Sequence, residues 1–318
     1  MGVLDLFKRA AASVGPRSRR TAPVDTDDDL FDEEFQRKLE YLALVSRRVF
    51  SGAMKAERRT KKTGTGVEFA DHRDYAPGDD FRYLDWRAYG RFNKLLLRLF
   101  EEEEDLSIYF IVDCSTSMSF GDGKKFDQAR RLCAALAYVG LANLDRVTIV
   151  GVSDEVIARM PTTRGKARIF KAFEFLRRLE PTGTTDLRES LKTFVAQHKR
   201  RGLAVLISDL YDPAGFEGGI NMLRFNKFEP YVLHIVDPSE AHPRLRGDVR
   251  VYDCETGEER EVTVTDKLLQ RMERAWGDYQ ASIERFCTTR QVPYFVADVD
   301  TPFDELVLRV FRRGGFLR

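Results

Sequence analysis

The chain has 318 residues, of which 43% are hydrophobic, so it can bury one sizeable core together with an accessory region. Its 52 Lys and Arg residues nearly balance its 51 Asp and Glu residues, and a net charge of +1 gives no global field that would attract nucleic acid or a membrane. No apolar run approaches the ~20 residues that span a bilayer, and four scattered cysteines are typical of reduced thiols. We therefore expect a soluble cytoplasmic protein with no membrane span and no nucleic-acid partner.

The N-terminal third of the chain changes character twice. Residues 1–30 pass abruptly from basic to acidic clusters, which predicts a mobile arm, and apolar residues recur at helical spacing from Phe31 to Phe50. Residues 31–104 are assigned to an N-terminal accessory region, and residues 105–318 to an α/β domain. The basic run Lys55 to Lys62 lacks interleaved aromatic residues, so a solvated loop is favoured over a site for nucleic acid or an anionic surface.

Arginines and aspartates alternate along the stretch Arg73 to Trp86, around Tyr75 and the turn at Pro77-Gly78. This composition indicates a packed network of charge-assisted pairs in which Trp86 contributes buried aromatic area and Asp85 pairs with an arginine. We expect the stretch to act as a structural clasp between the N-terminal region and the α/β domain. A docking surface for a partner is the alternative.

The most informative stretch is a buried strand that ends in oxygen-bearing side chains. Leu106 to Val112 is an unbroken apolar run, which is typical of the centre of a parallel sheet. Asp113, Ser115 and Ser117 then alternate, so their side chains can converge at the carboxyl edge, where open α/β sheets bind ligands. The alternative is a strand-to-helix turn whose side chains bond to backbone amides.

Four motifs together indicate a family: G-x-G-x-E-F from Gly64, R-x-Y-x-P-G-D-D-x-R from Arg73, D-W at Asp85 and D-x-S-x-S-M from Asp113. They closely resemble the bacterial and archaeal domain-of-unknown-function family 58, whose members carry a von Willebrand A-like domain. The resemblance implies an α/β fold with a doubly wound, mostly parallel sheet flanked by helices. Family genes commonly lie beside those for MoxR-type AAA+ ATPases, which implies such an ATPase as a partner. Many relatives have N-terminal membrane helices, whereas this sequence shows none.

The elements after Asp113 suit that fold. Lys124 to Asn143 is predicted to be helical and Arg146 to Val152 to be a second buried strand, which completes a βαβ unit. Leu203 to Ile207 is a third strand. Two short strand patterns separated by Glu-Thr-Gly predict a C-terminal β-hairpin insertion near residues 245–265.

The resemblance also implies a metal-ion-dependent adhesion site. In von Willebrand A domains a loop like Gly183 to Leu187 supplies a hydroxyl directed at the metal, which places Thr185 in that role, with Thr184 as the alternative. A plain helix N-cap before Leu187 would use the same residues. A second carboxylate is expected from Asp209, after the third strand. The implied metal ligands are Asp113, Ser115, Ser117, Thr185 and Asp209.

Two carboxylates and three hydroxyls are hard oxygen ligands, which select Mg²⁺ or Mn²⁺. A cation held this way keeps a coordination position that an acidic residue of a partner can fill, so we expect a non-enzymatic protein-interaction adaptor. A metal-dependent hydrolase is the competing interpretation. It is disfavoured because none of the four histidines matches a nucleophile or zinc motif, and because Ser115 stands where aspartyl-phosphate phosphatases have Asp. A P-loop sequence is also missing.

Overall fold

The structure is a computed structural model that describes residues 30–57, 59–60, 68–103, 106–120, 123–243 and 245–313. Almost all of the predicted arm, and the side chains of the basic run Lys55 to Lys62, lie outside the described residues.

The strands of the described chain are β1 (Arg59–Thr60), β2 (Glu68–Asp74), β3 (Leu96–Glu103), β4 (Ser107–Asp113), β5 (Arg146–Val152), β6 (Val156–Thr163), β7 (Leu203–Ser208), β8 (Glu229–Val236), β9 (Gly247–Tyr252), β10 (Glu259–Val264) and β11 (Tyr294–Asp298). The α-helices are α1 (Glu33–Glu57), α2 (Trp86–Phe92), α3 (Lys124–Ala142), α4 (Ile169–Arg178), α5 (Leu187–Gln197), α6 (Glu217–Phe225), α7 (Pro238–Ala241), α8 (Asp266–Thr289) and α9 (Phe303–Arg313). Among the described residues, every helix is too short or too polar for a membrane span.

The chain divides into two compact units. Of the described residues, those within 30–46 and 106–313 belong to one unit, and those within 47–103 belong to the other. The prediction assigned all of residues 31–104 to the accessory region, but the first half of α1 belongs to the larger unit instead.

The larger unit is built on a six-stranded sheet with the order β11-β8-β7-β4-β5-β6. All neighbouring strands are parallel except β6, which runs antiparallel to β5. Every residue of β4 is buried, because the strand lies between β5 and β7 and helices cover the sheet. The predicted mixed α/β fold, with a central and mostly parallel sheet flanked by helices, is confirmed.

Aromatic packing explains why the first half of α1 belongs to this unit. Phe31 stacks on Phe173 of α4 with ring centroids 4.7 Å apart, and Phe35 contacts Phe303 of α9 at 4.5 Å. Both α1 side chains are buried. The helical period that predicted α1 therefore marks a face that packs on the α/β core.

The predicted insertion is a two-stranded antiparallel hairpin. β9 and β10 pair from Gly247 with Val264 to Tyr252 with Glu259. Its position agrees with the predicted range near 245–265. Most of its residues are exposed or half-buried, and it forms a small sheet separate from the six-stranded one.

The smaller unit contains an antiparallel pair, β2 with β3, and the short helix α2. The expectation of a buried tryptophan is wrong, because Trp86 is 63% exposed. Two charge-assisted pairs of the expected kind do form, Arg73 with Asp79 at 2.8 Å and Arg82 with Asp80 at 2.6 Å. Asp85 accepts hydrogen bonds from His72 and from the backbone amides of Arg87 and Ala88, which makes it the N-cap of α2 rather than a partner of an arginine side chain. Local capping and turn contacts therefore satisfy much of the alternating charge in this stretch.

Candidate functional site

The loop after β4 gathers three of the predicted site residues. Asp113, Ser115 and Ser117 are all buried. The backbone amide of Ser115 donates to Asp113 Oδ1 at 2.9 Å, and the hydroxyl oxygens of Ser115 and Ser117 lie 3.0 Å apart. Asp113 thus makes the turn contact that the alternative interpretation anticipated, while the two serine hydroxyls face each other.

A second loop, between α4 and α5, is tied to the first by hydrogen bonds. The carbonyl oxygen of Gly183 accepts from the amide of Thr116 at 3.1 Å and from its hydroxyl at 2.8 Å, and the amide of Thr182 donates to the Cys114 carbonyl at 2.6 Å. Gly183 has φ = +75°, a left-handed conformation that favours glycine. These contacts bring the second loop against the first.

Within the second loop Thr185 is buried and Thr184 is exposed, so burial favours Thr185 for the predicted role. The helix-cap alternative is fulfilled by a different residue. Asp186 accepts from the amide of Glu189 at 2.9 Å and caps α5, which leaves the Thr185 hydroxyl available for another contact.

The end of β7 supplies the fifth predicted residue. The Ser208 hydroxyl donates to Asp113 Oδ2 at 2.5 Å, and the following residue, Asp209, is fully buried. Leu210 adopts a left-handed backbone with φ = +61°, which is uncommon for a branched residue and turns the chain sharply. The carboxylates of Asp113 and Asp209 lie near enough to interact. Burial, and then the negative charge of Asp209, raise the pKa of Asp113 well above the usual carboxyl range.

A lysine that the sequence interpretation missed lies inside the cluster. The ammonium of Lys125 donates to Asp209 Oδ2 at 2.6 Å and to Glu240 Oε1 at 2.7 Å, and its side chain is fully buried. Burial alone would lower the pKa of Lys125, but Asp209 and Glu240 raise it above its ordinary value, so the group stays charged. A signal was available, because Lys125 precedes Ala129 by four residues and so lies on the apolar face of α3.

A glutamate of the hairpin also reaches the site. Thr185 Oγ1 donates to Glu255 Oε1 at 2.7 Å, and the Thr185 amide lies 3.3 Å from Oε2 of the same carboxylate. Burial raises the pKa of Glu255, and the charges of Asp209 and Asp253 act in the same direction, although the bonds from Thr185 oppose them. No local pattern in the sequence indicates this contact.

Two observations bear on whether these residues suit a divalent cation. Two ligand oxygens at about 2.1 Å from an octahedral Mg²⁺ are about 3.0 Å apart, which matches the separation of the Ser115 and Ser117 hydroxyls. Asp113 and Asp209 are both buried, and the negative charge of Asp209 helps to raise the pKa of Asp113, a repulsion that a nearby cation would relieve. The donor set therefore fits such an ion. Within the described ranges no three His, Cys, Asp or Glu side chains group as a metal centre by themselves, so hydroxyl oxygens would have to complete the coordination.

Fold and site together define an α/β protein with a buried, anionic, oxygen-rich cluster at the carboxyl edge of a mostly parallel sheet. The chain belongs to the family described as "Protein of unknown function DUF58", whose model matches residues 71–281.

Similar proteins include an uncharacterised protein of Mycobacterium tuberculosis and one of Mycobacterium bovis, each 25% identical over 282 residues, with 87% of both chains covered. Among solved structures, the conserved hypothetical protein BatB of Bacteroides thetaiotaomicron is 13% identical, with a TM-score of 0.41 and coverage of 66% of this chain and 99% of that chain. An aerotolerance-related membrane protein of Bacteroides fragilis gives the same identity and TM-score, covering 65% of this chain and 98% of its own.

Proposed function

We propose that this chain is a non-enzymatic, metal-dependent protein-interaction adaptor with a von Willebrand A-like domain. The observation that supports it most is the pair of buried hydroxyls 3.0 Å apart on the loop that also carries the buried Asp113 carboxyl group. A catalytic site would need a free base or nucleophile, whereas the carboxylates of this cluster are held by protein donors.

Each predicted residue has a distinct role in the proposal. Ser115 and Ser117 would hold Mg²⁺ or Mn²⁺ through their hydroxyls, and Asp113 would compensate its charge. Asp209, fixed by Lys125, would orient bound water, and Thr185 would offer its hydroxyl on the side from which the hairpin approaches. The cation would supply a Lewis-acidic centre with a position open to a carboxylate of a partner.

The partner in this proposal is a protein that offers an Asp or Glu side chain. The family resemblance supports a MoxR-type AAA+ ATPase, acting with this chain in the assembly or maturation of other proteins. Affinity-purified chain from the native host, prepared in Mg²⁺ and in EDTA, tests the partner directly. Loss of the ATPase in EDTA is expected, and retention of the complete partner set in EDTA contradicts the proposal.

A matched pair of serine variants tests the site. Ser117→Ala removes a buried hydroxyl, whereas Ser119→Ala removes an exposed one two residues further along the same loop. We expect Ser117→Ala to weaken Mg²⁺ binding, measured by calorimetric titration, by about tenfold or more, and Ser119→Ala to leave it unchanged. Equal affinities for the two variants would refute the assignment.

A double-mutant cycle tests the bridge. Ser117→Ala and Asp209→Ala should each weaken the Mg²⁺-dependent complex, and their effects should not add, because either change disrupts the same bridge. Fully additive losses of binding free energy would contradict a shared metal bridge between this chain and its partner. Turnover of phosphoesters or esters that requires Mn²⁺ and is lost in Asp113→Ala would instead favour the hydrolase.

A further inference from the structure

The tip of the β9–β10 hairpin has a fixed shape. The Asp253 side chain accepts from the amides of Glu255 at 2.9 Å and Thr256 at 2.8 Å, and the Asp253 carbonyl accepts from the amide of Gly257. Gly257 has φ = +72°, which completes the turn. The tip therefore fixes the backbone at Glu255 through hydrogen bonds of its own.

Glu255 differs from the other acidic residues around it. The neighbouring glutamates are exposed, namely Glu258, Glu259 and Glu261. Glu255 is half-buried instead, and both of its carboxylate oxygens accept hydrogen bonds from Thr185. This position lies within the electrostatic reach of Asp209, so the hairpin places a carboxylate next to an already anionic cluster. Placing a carboxylate near other negative charges costs free energy unless hydrogen-bond donors, here those of Thr185, stabilise it.

The hairpin is incompletely packed against the helix that follows it. It forms its own two-stranded sheet, and an apolar pocket separates it from the start of α8. That pocket is lined by Pro243, Leu245, Val251, Val262, Val264, Leu268, Leu269 and Met272. The pocket leaves this interface incompletely packed, and the hydrogen bonds from Thr185 to Glu255 are among the contacts that hold the tip against the site.

We propose that the hairpin is an internal competitor, in which Glu255 occupies at Thr185 the position that an acidic side chain of the partner takes. The occupant is a segment of the same chain, so its local concentration is high, and a partner must displace the hairpin to bind. The claim that the hairpin regulates partner binding rests on the proposed function. The claim that Glu255 occupies the position at Thr185 rests on the hydrogen bonds between these two residues.

The test uses full-length chain and a labelled peptide that copies residues 251–259, with Cys254→Ser to prevent disulfide formation. Glu255→Ala vacates the position, and Glu259→Ala removes an exposed glutamate of the same hairpin as the control. We expect Glu255→Ala to bind the peptide about tenfold more tightly than wild type or Glu259→Ala do. The same peptide with glutamine in place of Glu255 should lose this binding.

Equal peptide affinity for all three chains, or no binding to any of them, would overturn the proposal. A second measurement checks the contact itself: Thr185→Val and Glu255→Ala should each speed hydrogen exchange of residues 247–264, and their combination should add nothing further. Unchanged exchange in both variants also overturns it.

Titration in Mg²⁺ and in EDTA separates this proposal from the proposed function. A tenfold gain that persists in EDTA supports the internal competitor and contradicts the metal bridge. A Mg²⁺-dependent stabilisation of wild type without any gain in Glu255→Ala supports the metal site and overturns the competitor.

Discussion

Lys125 is the residue on which the charge balance of the site depends. Its ammonium lies between Asp209 and Glu240 with no exposure to solvent. The positive charge of Lys125 and the negative charges of the two carboxylates therefore compensate one another inside the protein. A buried ion pair adds little net stability when it is intact, but removal of one partner leaves uncompensated charge in the interior.

Lys125→Met should therefore destabilise the fold by about 3–5 kcal/mol, measured by urea unfolding in EDTA. Lys124→Met, at the exposed neighbouring position, is the control and should change the free energy of unfolding by less than about 0.5 kcal/mol. Adding Glu240→Gln to Lys125→Met should recover part of the loss, because it removes one of the stranded charges. Equal effects of the two lysine substitutions would contradict the buried pairing.

The raised pKa of Asp113 predicts an unusual pH dependence of stability for the metal-free protein. Its pKa is raised in the folded state by burial and by Asp209, so above about pH 4 the unfolded chain loses a proton that the folded protein keeps. The folded state then binds more protons than the unfolded state, and this contribution to stability falls as the pH rises.

Asp113→Asn lacks that titration, so its stability relative to wild type in EDTA should increase from pH 4 towards neutrality. Chemical unfolding midpoints of both proteins at several pH values measure the difference. Comparing the two proteins cancels the opposite contribution of His234, whose pKa is lowered to about 4, chiefly by burial. A difference that stays constant with pH would show that Asp113 titrates normally.

At the scale of elements, helix α1 contributes residues to both compact units. Its first half carries Phe31 and Phe35 into an aromatic cluster with α4 and α9, while its later residues belong to the smaller unit. The period of apolar residues identifies the buried face, but it does not identify the surface on which that face packs.

Phe35→Ala should destabilise the larger unit by about 3–5 kcal/mol, since it empties a buried aromatic position against Phe303. Leu44→Ala, at a position of the same helix that is 62% exposed, should cost less than about 0.5 kcal/mol. Thermal unfolding followed by circular dichroism distinguishes the two. A small loss for Phe35→Ala would mean that this half of α1 packs weakly on the core.

For the whole molecule, the proposed cation is a ligand of a fold that is already complete. The sheet and its flanking helices bury a continuous apolar core around β4, and none of that packing requires a metal. Metal binding should then act through mass action on a folded protein rather than through coupled folding.

Metal-free chain should accordingly unfold cooperatively, and Mg²⁺ at ~100-fold above its dissociation constant should add about 2.7 kcal/mol. Asp113→Ala should abolish the Mg²⁺-dependent rise in melting temperature while the protein without metal stays folded. Differential scanning calorimetry with and without Mg²⁺ measures both. An identical response of wild type and variant would show that the cation binds elsewhere.

The sequence alone determined the parts of this protein that depend on local pattern. An unbroken apolar run predicted β4 at the sheet centre, and the alternating side chains after it predicted that Asp113, Ser115 and Ser117 lie together at the carboxyl edge of the sheet, where open α/β sheets bind ligands. The family resemblance, rather than the local pattern, implied that Thr185 and Asp209 join them.

Only the tertiary structure decided which charged groups meet there. Lys125 pairs with residues 84 and 115 positions away, and Thr185 meets a glutamate 70 positions away. The exposure of Trp86 and the packing of α1 were likewise beyond the local pattern. Such contacts arise from the way separate elements pack together, and short-range periodicity carries no information about which distant side chain fills a given position.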